Sequence, residues 1–125
     1  MAGSKTILCI EDEYFISELY ARALRRAGYD VTLMMSGDDG LNAALTDHYD
    51  IILLDLMIPG ITGFEVLDKI KAHSPALHSK IIITTNLDQD DANRERVEQQ
   101  ADGYIIKAEI TPKQLVEIID KIKID

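Results

Sequence analysis

The chain is short of cysteine, of basic charge and of long apolar runs. It has one cysteine in 125 residues. Cys9 therefore cannot form an internal disulfide, which fits a reducing compartment, and its place in an apolar run marks a small buried hydrophobe rather than a reactive thiol. Lysine and arginine number 13 against 22 aspartates and glutamates, a formal net charge of −9. That charge repels nucleic acid and anionic membranes and no basic run offsets it, so neither direct nucleic-acid binding nor membrane binding is expected. No apolar stretch approaches the length of a bilayer span and no signal peptide opens the chain, so the expected location is the cytoplasm. Internal repeats and low-complexity segments are lacking, and there is no room for a second domain. With 46% hydrophobic residues, the expectation is a short polar tail, 1–5, and one domain with a packed core, 6–125.

The run Ile51-Ile52-Leu53-Leu54 organises what is there. It is too short for a helix and rich in strand formers, as in a strand covered on both faces of a parallel sheet. It delivers Asp55 to the strand's end, because Pro59-Gly60 is a strong turn signal. Thr62 then caps a helix with Phe64, Leu67 and Ile70 at helical spacing.

The rest of the chain alternates in the same way. Residues 6–10 form a first buried strand that runs into Glu11-Asp12-Glu13. The following helix carries Ile16, Leu19, Ala23, Leu24 and Ala27 on its inward stripe and stops at Gly28, a good C′ residue. A second strand spans 29–35, and Ser36 caps a helix with Leu41, Ala44 and Leu45 inward. Residues 80–85 form a fourth strand; 88–100 have helical composition but are nearly all polar; and 104–107 form a fifth strand. Thr111-Pro112-Lys113-Gln114 is a capping box with proline at N1, opening a helix striped with Leu115, Ile118, Ile119 and Ile122. Strands alternating with helices over short connections predict an α/β fold, a doubly wound parallel sheet of five strands with helices on both faces.

A parallel sheet brings its strand ends to one edge, where ligands bind. Here that edge gathers Glu11 and Asp12 from strand one, Asp55 from strand three, Thr85 from strand four and Lys107 from strand five. Three clustered carboxylates need a cation, and all-oxygen ligands suit Mg²⁺. A hydroxyl and an ammonium opposite the metal can hold phosphoryl oxygens. Asp55 in this company can act as nucleophile and take a phosphoryl group as an acyl phosphate.

In these residues the chain resembles the receiver domain of two-component response regulators over nearly its whole length, in the single-domain, chemotaxis-type form. The resemblance implies a flavodoxin-like sheet in the order 2-1-3-4-5. It implies that Asp55 is the phosphoacceptor, served by Lys107 and Thr85. Mg²⁺, with Mn²⁺ as an alternative, is implied to sit on Asp12, Asp55 and the Met57 backbone carbonyl, with Glu11 acting through water. Thr85 and Tyr104 are the implied switch pair. A histidine kinase or histidine phosphotransfer protein is the implied donor, docking at Phe15, Ile16 and Leu19 beside Tyr14. The signal would pass to a downstream protein, from a monomer or a weak phosphorylation-dependent dimer. Such a protein is no enzyme toward other molecules and assists only its own phosphorylation and dephosphorylation.

Two departures touch the switch. The family usually has Lys-Pro with a cis peptide where this chain has Lys107-Ala108, and a small residue where it has Asn86. Without the proline ring a cis bond costs about 2.5–4 kcal/mol, so Lys107–Ala108 is expected to be trans. Met57 and Leu87 flank the implied approach of the hydrolytic water and cannot orient it, which predicts a long-lived phosphorylated state. The alternative function is a phosphorylation-independent pseudo-receiver, a binding module on the same fold. A hydrolase of the haloacid dehalogenase type would need an acid where Met57 stands, and a flavin carrier's phosphate would be repelled by Glu11-Asp12-Glu13. His48, His73 and His78 show no ligand spacing, and are expected to be ordinary surface or loop residues.

Overall fold

Along each strand, alternate side chains sort into two separate cores. The computed structural model describes residues 5–73, 77–85 and 91–122. The elements are β1 (Thr6–Ile10), α1 (Tyr14–Arg26), β2 (Asp30–Met34), α2 (Gly37–Ala44), β3 (Ile51–Asp55), α3 (Gly63–His73), β4 (Lys80–Thr85), α4 (Asp91–Gln100), β5 (Gly103–Ile106) and α5 (Pro112–Asp120). The strands are all parallel, in the order β2-β1-β3-β4-β5. This is the doubly wound α/β sheet that the strand-helix alternation predicts.

Leu8 and Ile10 of β1, Ile52 and Leu54 of β3 and Ile81 and Ile83 of β4 face one side, against Ala44 of α2, Val66, Leu67 and Ile70 of α3 and Val97 of α4. Ile7, Cys9, Ile51, Leu53, Ile82 and Ile105 face the other, against Tyr20, Ala21 and Leu24 of α1 and Leu115 and Ile119 of α5. Fully burying such a leucine or isoleucine contributes ~1.5–3 kcal/mol, so β3, buried along its whole length, anchors the sheet. Among the described residues no helix is long and apolar enough to cross a membrane.

The helix ends follow the sequence signals. Gly28, at φ +102°, closes α1 in a Schellman arrangement, with Gly28 N–H donating to the Arg25 carbonyl and Tyr29 N–H to that of Leu24, both at 3.0 Å. Ser36 caps α2, Thr62 Oγ1 accepts from Glu65 N–H, and Thr111 with Gln114 forms the capping box of α5.

Three expectations are corrected. The buried residues of α1 are Ser17, Tyr20, Ala21 and Leu24; of the expected stripe Leu24 is buried and Ile16 packs at the core's edge, but Leu19 is turned outward. Ser17 is tolerated in the interior because its hydroxyl donates to the Tyr14 carbonyl at 3.0 Å, while Leu19 is 52% exposed. The second strand is shorter than 29–35, running Asp30–Met34. The fifth begins at Gly103 and ends at Ile106, because Lys107–Glu109 turns as a single 3₁₀ unit. No cis peptide bond occurs among the described residues, so Lys107–Ala108 is trans, as the missing proline ring predicts.

Candidate functional site

The carboxyl ends of β1 and β3 carry the acids, Glu11 and Asp12 just past β1 and Asp55 at the last paired position of β3, in register with Thr84. Glu11 follows β1, tied to β2 through its N–H on the Met34 carbonyl at 3.0 Å, and its side chain is buried. Asp12, next along, is exposed. Asp55 ends β3 with 3% of its surface exposed. Oxygens of Glu11, Asp12 and Asp55 lie within 4.8 Å of one another.

Two buried carboxylates at that spacing are unfavourable unless a cation sits between them. Lys107 supplies it: its Nζ donates to Glu11 Oε1 at 2.5 Å and to Asp55 Oδ2 at 3.0 Å, all three side chains being buried. The outer oxygens are used as well. Glu11 Oε2 accepts from Glu13 N–H, and Asp55 Oδ1 accepts from Met57 N–H, both at 3.1 Å. Burial, aided by the charge of Asp55, pushes the Glu11 carboxyl up to about 7 despite the Lys107 hydrogen bond. Burial opposes the charge on Lys107, but the two carboxylates outweigh it and hold the ammonium charged. Cys9, behind the site, is pushed up to about 12, chiefly by burial, and so stays a protonated thiol.

The other expected residues are placed as follows. Thr85 is fully buried at the end of β4, paired in register with Ile106, the residue before Lys107. Tyr104 is half-buried on β5 against the core on the α3–α4 side, its hydroxyl buried. Met57 is 58% exposed. Phe15 is 82% and Tyr14 61% exposed, in an edge-to-face pair with centroids 6.0 Å apart. Ile16 and Leu19 line a shallow groove of about 220 Å³ that continues to Lys107, Ala108, Ile110 and Pro112. Asn86 and Leu87 lie outside the described residues. Chemically, the donor set suits a hard divalent ion held by oxygen, with an ammonium beside the one carboxylate that both β3 and Met57 fix in place.

One constellation escaped the sequence. His78 has two carboxylate partners: Nδ1 lies 2.7 Å from Asp47 Oδ1 and Nε2 lies 3.2 Å from Asp50 Oδ1. His78 N–H also donates to Asp47, which adopts φ +57°, and Asp50 Oδ2 accepts from Thr6 N–H at 3.0 Å. This cluster sits at the amino edge of the sheet, opposite the acidic site. His78 lies 31 and 28 residues along the chain from Asp47 and Asp50, so no local pattern reveals the cluster.

A family model described as the response regulator receiver domain matches residues 7–120. The transcriptional regulatory protein DltR of Streptococcus agalactiae is 35% identical over 118 residues, covering 94% of this chain and 50% of that protein. The response regulator ArlR of Staphylococcus aureus is 35% identical over 117 residues, with the same coverage. The chain thus spans about half the length of the curated relatives it matches. Among solved structures, a CheY-like receiver domain protein from Methanospirillum hungatei superimposes with a TM-score of 0.83 at 26% identity, covering 95% of this chain and 93% of that one. The response regulator TrrA from Thermotoga maritima, solved in complex with Mg²⁺ and beryllium fluoride, gives 0.78 at 30% identity, covering 94% and 97%. On the extent of that match, and on a sheet order it shares with CheY-like structures, this chain belongs to the response regulator receiver domain family.

Proposed function

We propose that the protein is a phosphoacceptor signalling switch. Asp55 takes a phosphoryl group from a histidine kinase or histidine phosphotransfer protein in a Mg²⁺-dependent reaction, and the signal leaves through protein contacts. The observation that carries this reading is the buried Lys107 ammonium, shared between Asp55 and Glu11 beside the exposed Asp12.

In the proposed reaction an Asp55 oxygen attacks phosphorus, the P–N bond to the donor imidazole breaks, and that nitrogen keeps the electron pair and takes a proton. Lys107 turns part of its hydrogen bonding from Asp55 to the arriving phosphoryl oxygens, and the Thr85 hydroxyl takes another. Asp12, Asp55 and the Met57 carbonyl would hold Mg²⁺, with Glu11 acting through a water; the ion, when bound, neutralises charge shared by Asp55 and the phosphoryl group. Tyr104 follows Thr85 as the second half of the switch. The protein assists only its own phosphorylation and dephosphorylation.

The donor is proposed to dock on Phe15, Ile16 and Leu19, an apolar surface that borders the Lys107 groove. The net charge of −9 argues against direct nucleic-acid binding by this chain. Its buried lone cysteine agrees with a reducing, cytoplasmic location. A monomer, or a weak dimer formed on phosphorylation, is the proposed state.

Treatment with acetyl phosphate and Mg²⁺, read by intact mass, should add one phosphate that is absent in Asp55→Asn and in EDTA. An adduct that persists in either control overturns the assignment. A protein that takes neither phosphate nor beryllofluoride is instead a phosphorylation-independent binding module.

A further inference from the structure

The loop from β3 to α3 carries Met57, and α2 holds that loop from outside. Gly37, the buried first residue of α2, donates its N–H to the Pro59 carbonyl at 3.1 Å. The first amides of a helix have no partner within it, so this bond also satisfies one of them. The approach is close enough to require glycine: a Cβ at 37 would run into the Ile61 carbonyl oxygen and stand 2.8 Å from Ile61 Cγ1. From the other side, Gly60 has φ +82°, and a Cβ there would lie 2.5 Å from Asp38 Oδ2. Gly63 N–H closes the loop on the Leu56 carbonyl at 3.0 Å, and Met57 N–H holds Asp55 Oδ1. The segment around Met57 is therefore fixed at its base by β3 and α3 and at its tip by the first turn of α2.

The geometry points to Gly37 as a positioning residue for the cation site: by letting α2 seat against 59–61, it sets where the Met57 carbonyl stands relative to Asp55. This rests on the proposed function, which gives that carbonyl to Mg²⁺. A side chain at 37 pushes the loop away without touching any of the carboxylates. Removing this kind of support behind a ligand weakens metal affinity by about 10–100-fold.

The test is a Mg²⁺ titration followed by amide NMR on the parent, Gly37→Ala, Gly60→Ala and Gly28→Ala. Gly28, at φ +102° with nothing within 4 Å of a Cβ, strains the backbone at the end of α1, away from the site. Gly37→Ala is expected to shift the Met57 and Ile58 amides before any Mg²⁺ is added and to bind the ion at least about tenfold more weakly. Gly60→Ala should act in the same direction and carries the test if Gly37→Ala does not fold. Gly28→Ala should leave affinity unchanged. If Gly37→Ala, or Gly60→Ala in its place, binds Mg²⁺ as the parent does, or if Gly28→Ala weakens binding equally, the positioning role is overturned and the cation reading stands. A parent with no saturable Mg²⁺ response overturns the cation reading, and the positioning role with it.

Discussion

Raising the pH past the His78 titration should loosen the amino edge of the sheet. His78 is flanked by carboxylates on both ring nitrogens, so only the imidazolium can donate to Asp47 and Asp50 together. Its partial burial opposes the charge, but the hydrogen bonds and charges of Asp50 and Asp47 outweigh it and raise its pKa above 6.5. A group raised on folding contributes stability that is complete below the unfolded value and lost as pH rises through the folded one. Asp50 runs the opposite way. Its carboxyl is lowered from 3.8 by Thr6 and His78 against a burial penalty, so its contribution is lost only in acid. The cluster is therefore strongest between the Asp50 titration and pH 6.5. Because the ring and Asp47 are 40% and 41% exposed, solvent screens the pairs, and each contributes only about 0.2–1 kcal/mol. The loss on alkalinisation should total roughly 1 kcal/mol, worth about 4 °C in Tm for a domain of this size. Glu11 also titrates near 7, in the same sense, so the parent's pH profile mixes the two sites. The difference between parent and His78→Gln, unfolded by urea at pH 6 and pH 8.5, isolates His78 because the two sites lie at opposite edges of the sheet. An imidazole pKa at or below 6.5 by NMR, or identical pH profiles for parent and His78→Gln, refutes the reasoning.

Two further outcomes concern the acidic edge. Phe15→Ala removes an exposed ring, so stability should move by less than about 0.5 kcal/mol while phosphotransfer from the cognate kinase slows by about tenfold. Unchanged transfer removes Phe15 from the docking surface. Met57→Glu puts a hydrogen-bonding carboxylate at the mouth of the site, where it can orient a hydrolytic water, and phosphate loss from Asp55 should quicken by about tenfold, roughly 1.4 kcal/mol off the barrier. Loss at the parent's rate places the water path elsewhere.

How far the fold could be read depended on how local each constraint is. Pro59-Gly60, Gly28 and the Thr111–Gln114 box act within one turn of the chain, and each does in the structure what its chemistry predicts. The ending of β5 did not follow, because β-forming Tyr104-Ile105-Ile106 gives no hint that Lys107 turns away to begin a 3₁₀ unit. The face of α1 slipped for a related reason. Ser17, Tyr20 and Ala21 are not strongly apolar, so an apolar count favours Leu19, whereas burial favours the side chains that fit against the core on that side of the sheet. Asp47 and Asp50 come from the connection between α2 and β3 and His78 from the one before β4, and they have no shared period. Their meeting depends on how β1, β3 and β4 begin, which a linear pattern does not encode.

The acidic site is as non-local as the His78 cluster, with Lys107 contacting Glu11 across 96 residues, yet it was legible. The difference is topological. A parallel sheet brings every strand's carboxyl end to one edge, so a polar residue that follows an apolar run is already assigned a place. Glu11, Asp55 and Lys107 each terminate such a run or stand one residue beyond it, and each is buried where isolated charge is costly. Three charges that cannot be buried singly, delivered to one edge by strands that cannot be placed otherwise, must meet. The loops at the amino edge vary in length and leave their polar residues free to reach solvent, so no such requirement brings His78 to its partners.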